Sequence, residues 1–213
     1  MKNIVILISG RGSNMEAIVR AAIPGARIAA VIANRPDASG LAFASAHGIE
    51  AVCLDHKAFA DRAAFDEALR QRIDAYAPDV VVLAGFMRVL GEGFVRHYEG
   101  RLINIHPSLL PAFPGLHTHR RALESGATVH GATVHFVTAE LDSGPVLVQA
   151  VVPVLPDDDE AALATRVLQE EHRIYPQALR WIVEGRTRIA GQRVLVQDRA
   201  RDQAALISPP LDA

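Results

Sequence analysis

Cysteine is almost missing from this chain. Cys53 is the only one among 213 residues, so an intrachain disulfide and a cysteine-built zinc site are both excluded, and a reducing, cytoplasmic setting is expected. An excess of positive charge is missing too: 22 Lys and Arg stand against 24 Asp and Glu, a net charge of −2. No basic stripe marks the chain as a binder of nucleic acid or of an anionic membrane. Long apolar runs are also lacking. The longest covers residues 80–87, and the N-terminal run Ile4-Val5-Ile6-Leu7-Ile8 is too short for a signal-peptide core, so neither a membrane span nor a secretory leader is expected. There is no low-complexity tract, internal repeat or linker. What is present is a globular composition, 50% hydrophobic and 22% charged. One domain over residues 1–213, with a core that needs no metal or disulfide, acting on small soluble ligands, is the expectation.

Periodicity gives the architecture. The branched apolar run at 4–8 leads through a Gly/Ser/Asn loop into Met15, Ile18, Val19 and Ala22, which fall on a helical stripe. The pattern recurs with a strand at 27–33, a helix near 38–47 and a short strand at 50–54. Phe65, Ala68, Leu69, Ile73 and Tyr76 mark one face of a helix within 61–76, closed by Pro78. Apolar strands follow at 79–85 and 101–105. About five strands alternating with helices predict an α/β fold: a Rossmann-like, open, mainly parallel sheet flanked by helices. After residue 105 two strand-like runs, 129–137 and 146–154, are joined by the turn-rich Leu141-Asp142-Ser143-Gly144-Pro145, which predicts an antiparallel extension of the sheet. Asp157-Asp158-Asp159-Glu160 caps a long helix from about 158 to 174, interrupted or kinked at Pro176. The last sixteen or so residues, with Ser208-Pro209-Pro210, read as a loose tail.

In such a sheet ligands bind beyond the carboxyl ends of the strands. Three unusual segments fall there: residues 9–14, 85–88 and 106–108. In Ser9-Gly10-Arg11-Gly12-Ser13-Asn14 the glycines allow close backbone approach and a helix start offers free N–H groups, which suits a phosphate; a helix capped by Ser13 or Asn14 is the plain alternative. The loop matches neither the dinucleotide fingerprint nor the P-loop. Asn104 and His106 lie two apart on one strand and so share a face. An Asn amide can donate to an oxygen gaining negative charge and an imidazole can move a proton, a pairing suited to acyl transfer; both could equally satisfy neighbouring backbone groups. Asp142 is ordinarily a turn former, and works on His106 only if the fold brings it there. Glu170 and Glu171 both border the apolar stripe Leu163, Val167, Ile174 and Ala178 of the long helix, and periodicity does not choose between them. His117, His119, His130 and His135 raise a metal hydrolase, but His117 and His119 have neither the helical His-Glu-x-x-His spacing nor a cysteine pair.

Four stretches, 8–14, 77–90, 103–126 and 131–145, in this order and spacing, resemble the phosphoribosylglycinamide formyltransferase family, the similarity running from about residue 3 to about 185. The resemblance implies direct transfer of a formyl group from 10-formyltetrahydrofolate to an amine, with no covalent enzyme intermediate and no metal. It implies that Asn104 polarises the formyl oxygen, that His106 is the general acid and that Asp142 holds and charges it. Arg11, Gly12, Ser13, Asn14, Pro107 and Glu171 become the residues for the ribonucleotide, the family choosing Glu171 over Glu170. Arg62, Met87, Arg88, Val89, Leu90, Asn104, Thr138, Ala139, Glu140, Leu141 and Asp142 become those for the folate. The chain departs from the family at Thr133, where serine is common, and at Ala139, where an acidic residue is often found. Residues 1–105 are then a phosphate-binding half, 106–190 a catalytic and folate-binding half, and 191–213 an extension and tail. Small-molecule substrates, no nucleic acid or membrane, and a monomer or weak homodimer are the implied partners. The rivals are other folate-formyl enzymes, which act on initiator tRNA or on water, and a non-catalytic nucleotide binder on the same scaffold.

Overall fold

Every residue from Ile4 to Ile8 is fully buried, which requires a strand covered on both faces. Alternation divides them. Ile4, Ile6 and Ile8 pack with Met15, Ile18, Tyr175 and Leu179 on one side of the sheet, while Val5 and Leu7 pack with Phe65, Leu69, Ile73 and Phe94 on the other. The computed structural model describes residues 1–198 together with Leu206 and Ser208; the loose tail expected after about residue 197 lies almost wholly outside the described residues.

The chain runs β1 (Lys2–Ile8), α1 (Ser13–Arg20), β2 (Ala26–Ala33), α2 (Gly40–Ala46), β3 (Glu50–Cys53), α3 (Arg62–Asp74), β4 (Val80–Leu83), α4 (Glu92–His97) and β5 (Leu102–His106). It continues through α5 (Thr118–Glu124), β6 (Val129–Phe136), β7 (Val146–Pro153), α6 (Glu160–Val183), β8 (Thr187–Ala190) and β9 (Arg193–Val196). Among the described residues the strands form one sheet in the order β3-β2-β1-β4-β5-β6-β7-β9-β8. The pairs from β3 through to β5 are parallel, and β5, β6 and β7 pair antiparallel. The expected α/β sheet with an antiparallel extension is what the structure has. Its order reverses between β1 and β4, the place where a doubly wound sheet opens a crevice.

Three features differ from the sequence expectation. The helix expected to be interrupted or kinked at Pro176 runs unbroken over 24 residues, Glu160–Val183. Proline removes one backbone donor and crowds the preceding turn; burial of Tyr175, Ala178 and Leu179 on the sheet holds the helix together across it. At its start the Asp159 carboxylate accepts the Ala162 N–H at 2.7 Å, so one Asp of the acidic run is the cap. Short helices α4 and α5 were not anticipated, because six or seven residues give too little periodicity. The sequence pattern predicts no strand over residues 187–196, of which only those from 191 on belong to the expected extension, yet β8 and β9 form a hairpin whose Arg193 pairs in parallel with Val146.

Candidate active site

At the end of β1 the chain needs a left-handed residue to enter α1, and Gly12 supplies it with φ 71°. Gly12 is the N-cap and no side chain caps the helix, so the capped-helix alternative of Ser13 or Asn14 is not realised and the first-turn N–H groups stay available. Gly40 lets α2 pass against this loop: a Cβ there would lie 2.6 Å from the Arg11 carbonyl oxygen. Ser9 ties the loop to its neighbours. Its hydroxyl donates to Asn34 Oδ1 at 2.7 Å and accepts the Met87 N–H at 2.8 Å. The result is a cleft of about 360 Å³ lined by residues 9–14, Arg35, Ala84, Gly85 and Met87, which joins the first two loops singled out in the sequence. A second cavity of about 330 Å³, lined by Ile4, Ile18, Ile28 and Leu179 among others, lies near the opposite ends of the strands and has only apolar side chains in its wall, with no charged or polar side chain to orient a polar substrate.

Asn14 turns inward. Its Nδ2 donates to Glu171 Oε2 at 2.7 Å, both side chains being buried, while its Oδ1 has no partner among the described residues. Burial pushes the Glu171 carboxyl up, against the Asn14 hydrogen bond. One turn along α6 the Tyr175 hydroxyl donates to the Leu83 carbonyl at 2.9 Å, its single proton shared with the Ile103 carbonyl at 3.2 Å, fixing Glu171 relative to β4 and β5. Glu170 instead pairs with Arg173 on the exposed face. Burial thus separates the two carboxylates that periodicity left alike: Glu171 is buried and Glu170 is on the solvent side.

β5 delivers the next group. Ile103 and Ile105 face the core, so Asn104 and His106 share the other face. His106 is nine-tenths buried: its Nδ1 lies 3.5 Å from Asp142 Oδ2 and its Nε2 lies 3.0 Å from the Phe113 carbonyl oxygen. Asp142, at φ 51° in the left-handed region, also accepts the Gly115 N–H at 2.8 Å. The turn after His106 is fixed by Thr133, whose hydroxyl donates to the Ser108 carbonyl at 2.6 Å and accepts the Leu110 N–H at 3.1 Å. Threonine in place of the family's serine thus leaves a hydroxyl in use.

In the sequence His135 stands among the four histidines that raise a metal hydrolase, and not among the candidates for acyl transfer. The register sets it opposite Asn104 across β5 and β6. Its Nδ1 donates to the Phe136 carbonyl at 2.9 Å, and its Nε2 lies 3.4 Å from Asn104 Nδ2 and 3.9 Å from Asp142 Oδ1. Burial pushes its pKa down, which keeps the ring neutral, so Nε2 accepts from Asn104 and aims that amide. Only strand pairing reveals this; the sequence carries no local signal for it.

The expected folate residues spread around these groups. Met87, Val89 and Leu141 are large apolar side chains left in solvent, and Arg88 stacks 4.8 Å over the Phe65 ring, its Nε without a hydrogen-bond partner among the described residues. Leu90 is half-buried beside them. Thr138, Ala139, Glu140 and Leu141 form the loop before Asp142, held by Thr138 Oγ1 donating to the Glu140 carbonyl at 3.2 Å. Arg62 stands exposed on the first turn of α3 and Arg11 reaches solvent beside Glu16, at 3.8 Å; neither touches the His106 group. Pro107 is half-buried next to His106. Among the described residues no three His, Cys, Asp or Glu converge as metal ligands, and no helix is long and apolar enough to cross a membrane.

Residues 2–179 match the family model described as formyl transferase. The chain is 52% identical over 212 residues to the phosphoribosylglycinamide formyltransferase of Escherichia coli K12, covering 94% of this chain and all of that one. It is 39% identical to that of Haemophilus influenzae, covering 94% and 96%. Among solved structures it resembles glycinamide ribonucleotide transformylase 1 of Symbiobacterium toebii, with a TM-score of 0.90 at 49% identity over 93% of this chain and 95% of that one.

Proposed function

The chain belongs to the formyl transferase family, and from that premise we propose that it transfers the formyl group of 10-formyltetrahydrofolate to the amine of glycinamide ribonucleotide, a step of purine biosynthesis. The observation that carries the reading is the convergence of His106, Asp142, His135 and Asn104 at the ends of adjacent strands, beside a glycine loop with free helix N–H groups.

In this reading Gly12, Ser13 and Asn14 hold the phosphate, with Arg11 adding charge, and Glu171 meets the ribose or glycinamide portion with Pro107 alongside. The exposed apolar rim of Met87, Val89 and Leu141 fits one face of a flat heterocycle, with Leu90, Arg88, Arg62 and the 138–142 loop completing the folate side. The folate brings the formyl group; the chain supplies orientation and proton handling. Asn104, aimed by His135, donates its amide N–H to the formyl oxygen as negative charge grows there. His106, beside Asp142, is the general acid for the departing nitrogen. The chain works as a single formyltransferase domain, without metal, in the cytoplasm, as a monomer or weak homodimer.

The deciding experiment is a spectrophotometric assay with 10-formyl-5,8-dideazafolate, offering glycinamide ribonucleotide, initiator tRNA and water as acceptors. Transfer to the ribonucleotide alone is expected. Turnover only with tRNA, or only hydrolysis, overturns the assignment.

A further inference from the structure

The two nitrogens of His106 are not equivalent. Nε2 lies 3.0 Å from the carbonyl oxygen of Phe113. Both nitrogens face groups that only accept, the Phe113 carbonyl and the Asp142 carboxylate, but only the Nε2 contact has the length and direction of a hydrogen bond, so the proton of the neutral ring belongs on Nε2 and the free electron pair on Nδ1. Nδ1 is the nitrogen on the Asp142 side, at 3.5 Å.

The Phe113 carbonyl is held in that position by an unusual backbone. Phe113 has φ 53°, in the left-handed region that a bulky side chain avoids, so its surroundings must hold it there. Those surroundings are visible on three sides. The ring packs against the cluster of Ala122, Ala132, Leu163 and Val167 between β6 and α6. It meets the buried His130 ring edge to face, centroids 5.9 Å apart, and the Arg121 guanidinium lies 5.6 Å above it. Arg121 also donates to the Pro114 carbonyl at 2.5 Å, binding the next residue of the same turn.

We propose that Phe113 is a positioning residue: its anchored ring holds a left-handed backbone whose carbonyl fixes the His106 proton on Nε2, leaving Nδ1, next to Asp142, as the nitrogen that exchanges the working proton. The inference rests on the formyl-transfer reading and deepens it. In the transfer the acceptor amine loses one proton and the folate nitrogen gains one. Protonated His106 gives its Nδ1 proton to the leaving nitrogen, becomes the neutral Nε2–H form without rotating, and regains a proton at Nδ1 from the amine, directly or through water. The proton passes between the amine, Nδ1 and the folate nitrogen, and Asp142 takes no part in that relay.

Histidine labelled with nitrogen-15 reads the proton position directly. The His106 ring is identified by the signals lost in His106→Gln, and long-range proton–nitrogen spectra of the wild-type protein are recorded at alkaline pH, where a free imidazole is neutral. The Nε2–H form is expected; the Nδ1–H form overturns the proposal. In Phe113→Gly, which tolerates positive φ but loses the ring's anchors, a mixture of the two forms and a fall in kcat of roughly tenfold or more, with both KM values within about twofold, are expected. Phe113→Tyr, which keeps the ring, should recover most of that loss. A pure Nε2–H form with wild-type kcat in Phe113→Gly overturns the role of the ring. If that variant does not fold, the wild-type spectrum and Phe113→Tyr decide. A wild-type protein inactive towards glycinamide ribonucleotide refutes the transfer reading instead, while the spectrum still tests the proton position.

Discussion

Acidification should expose a buried histidine that no partner rescues. His130 is 1% exposed, and among the described residues no group meets hydrogen-bond geometry with either ring nitrogen; the Pro107 backbone carbonyl is the one nearby group that favours the charged ring, and burial outweighs it. Burial, reinforced by His119 whose ring centroid is 5.2 Å away, pushes its pKa from 6.5 down to about 4. The unfolded chain therefore binds a proton at this residue over a pH range in which the folded chain does not. Stability is unaffected above about pH 6.5, falls as pH descends towards 4, and below that has lost the whole increment. A displacement of this size corresponds to about 3 kcal/mol, a large share of the roughly 5–15 kcal/mol that hold a domain together. The perturbation is His130→Leu, compared with wild type by urea unfolding at about pH 7 and about pH 4.5. His119, His135 and His172 are also pushed down by burial and weaken both proteins on acidification; Glu171, pushed up, acts the opposite way in both. The difference between the two proteins isolates His130. Wild type should lose about 2–3 kcal/mol more than the variant between the two pH values. Equal losses would mean that the ring finds a proton acceptor in solution, refuting the reasoning.

Three further outcomes are expected. His106→Ala should lower kcat by about two orders of magnitude or more with both KM values little changed, measured at steady state; wild-type turnover would remove His106 from the chemistry. Asn14→Ala should raise KM for glycinamide ribonucleotide and spare that for the folate, and should cost about 1–3 kcal/mol in urea unfolding because Glu171 loses its buried donor; equal changes in both KM values refute the loop assignment. Gly40→Ala drives a Cβ to 2.6 Å from the Arg11 carbonyl oxygen, so the loop must shift; KM for the ribonucleotide should rise while the nitrogen-15 signature of His106 stays put, and an unchanged KM would mean the loop's shape is irrelevant to binding.

Much of the parallel half was legible because a strand covered on both faces writes itself as a continuous apolar run. Val80, Val81, Val82 and Leu83 and the run at 4–8 needed nothing beyond composition. The paired placement of Asn104 and His106 followed from the two-residue repeat of a strand. What distance in sequence hides is partnership. Asn14 and Glu171 meet across 157 residues, and His135 reaches Asn104 only through antiparallel register. The β8–β9 hairpin was invisible for another reason: its strands are four residues long and mostly exposed, so no core pattern is imprinted on them. The unbroken α6 shows burial overriding a local rule, since Pro176 signals a break that the packing of Tyr175 and Leu179 overrules.

Asp142 reaches His106 because of two backbone requirements that have no chemistry of their own. A Cβ at Gly144 would lie 1.8 Å from the Phe136 carbonyl oxygen, so only glycine lets the connector turn tightly enough to bring the Pro145 carbonyl within 3.0 Å of the Phe136 N–H. Two residues earlier Asp142 takes a left-handed conformation, which Asp tolerates better than most residues. Together these fold the carboxylate back over β5 and β6, where it faces His106 on one side and His135 on the other. The Gly115 N–H, donated to the same carboxylate from the turn after Phe113, gives it a fixed partner that neither histidine must supply. The charge is thereby held in place whether His106 carries one proton or two, which is what a group accompanying a proton transfer requires.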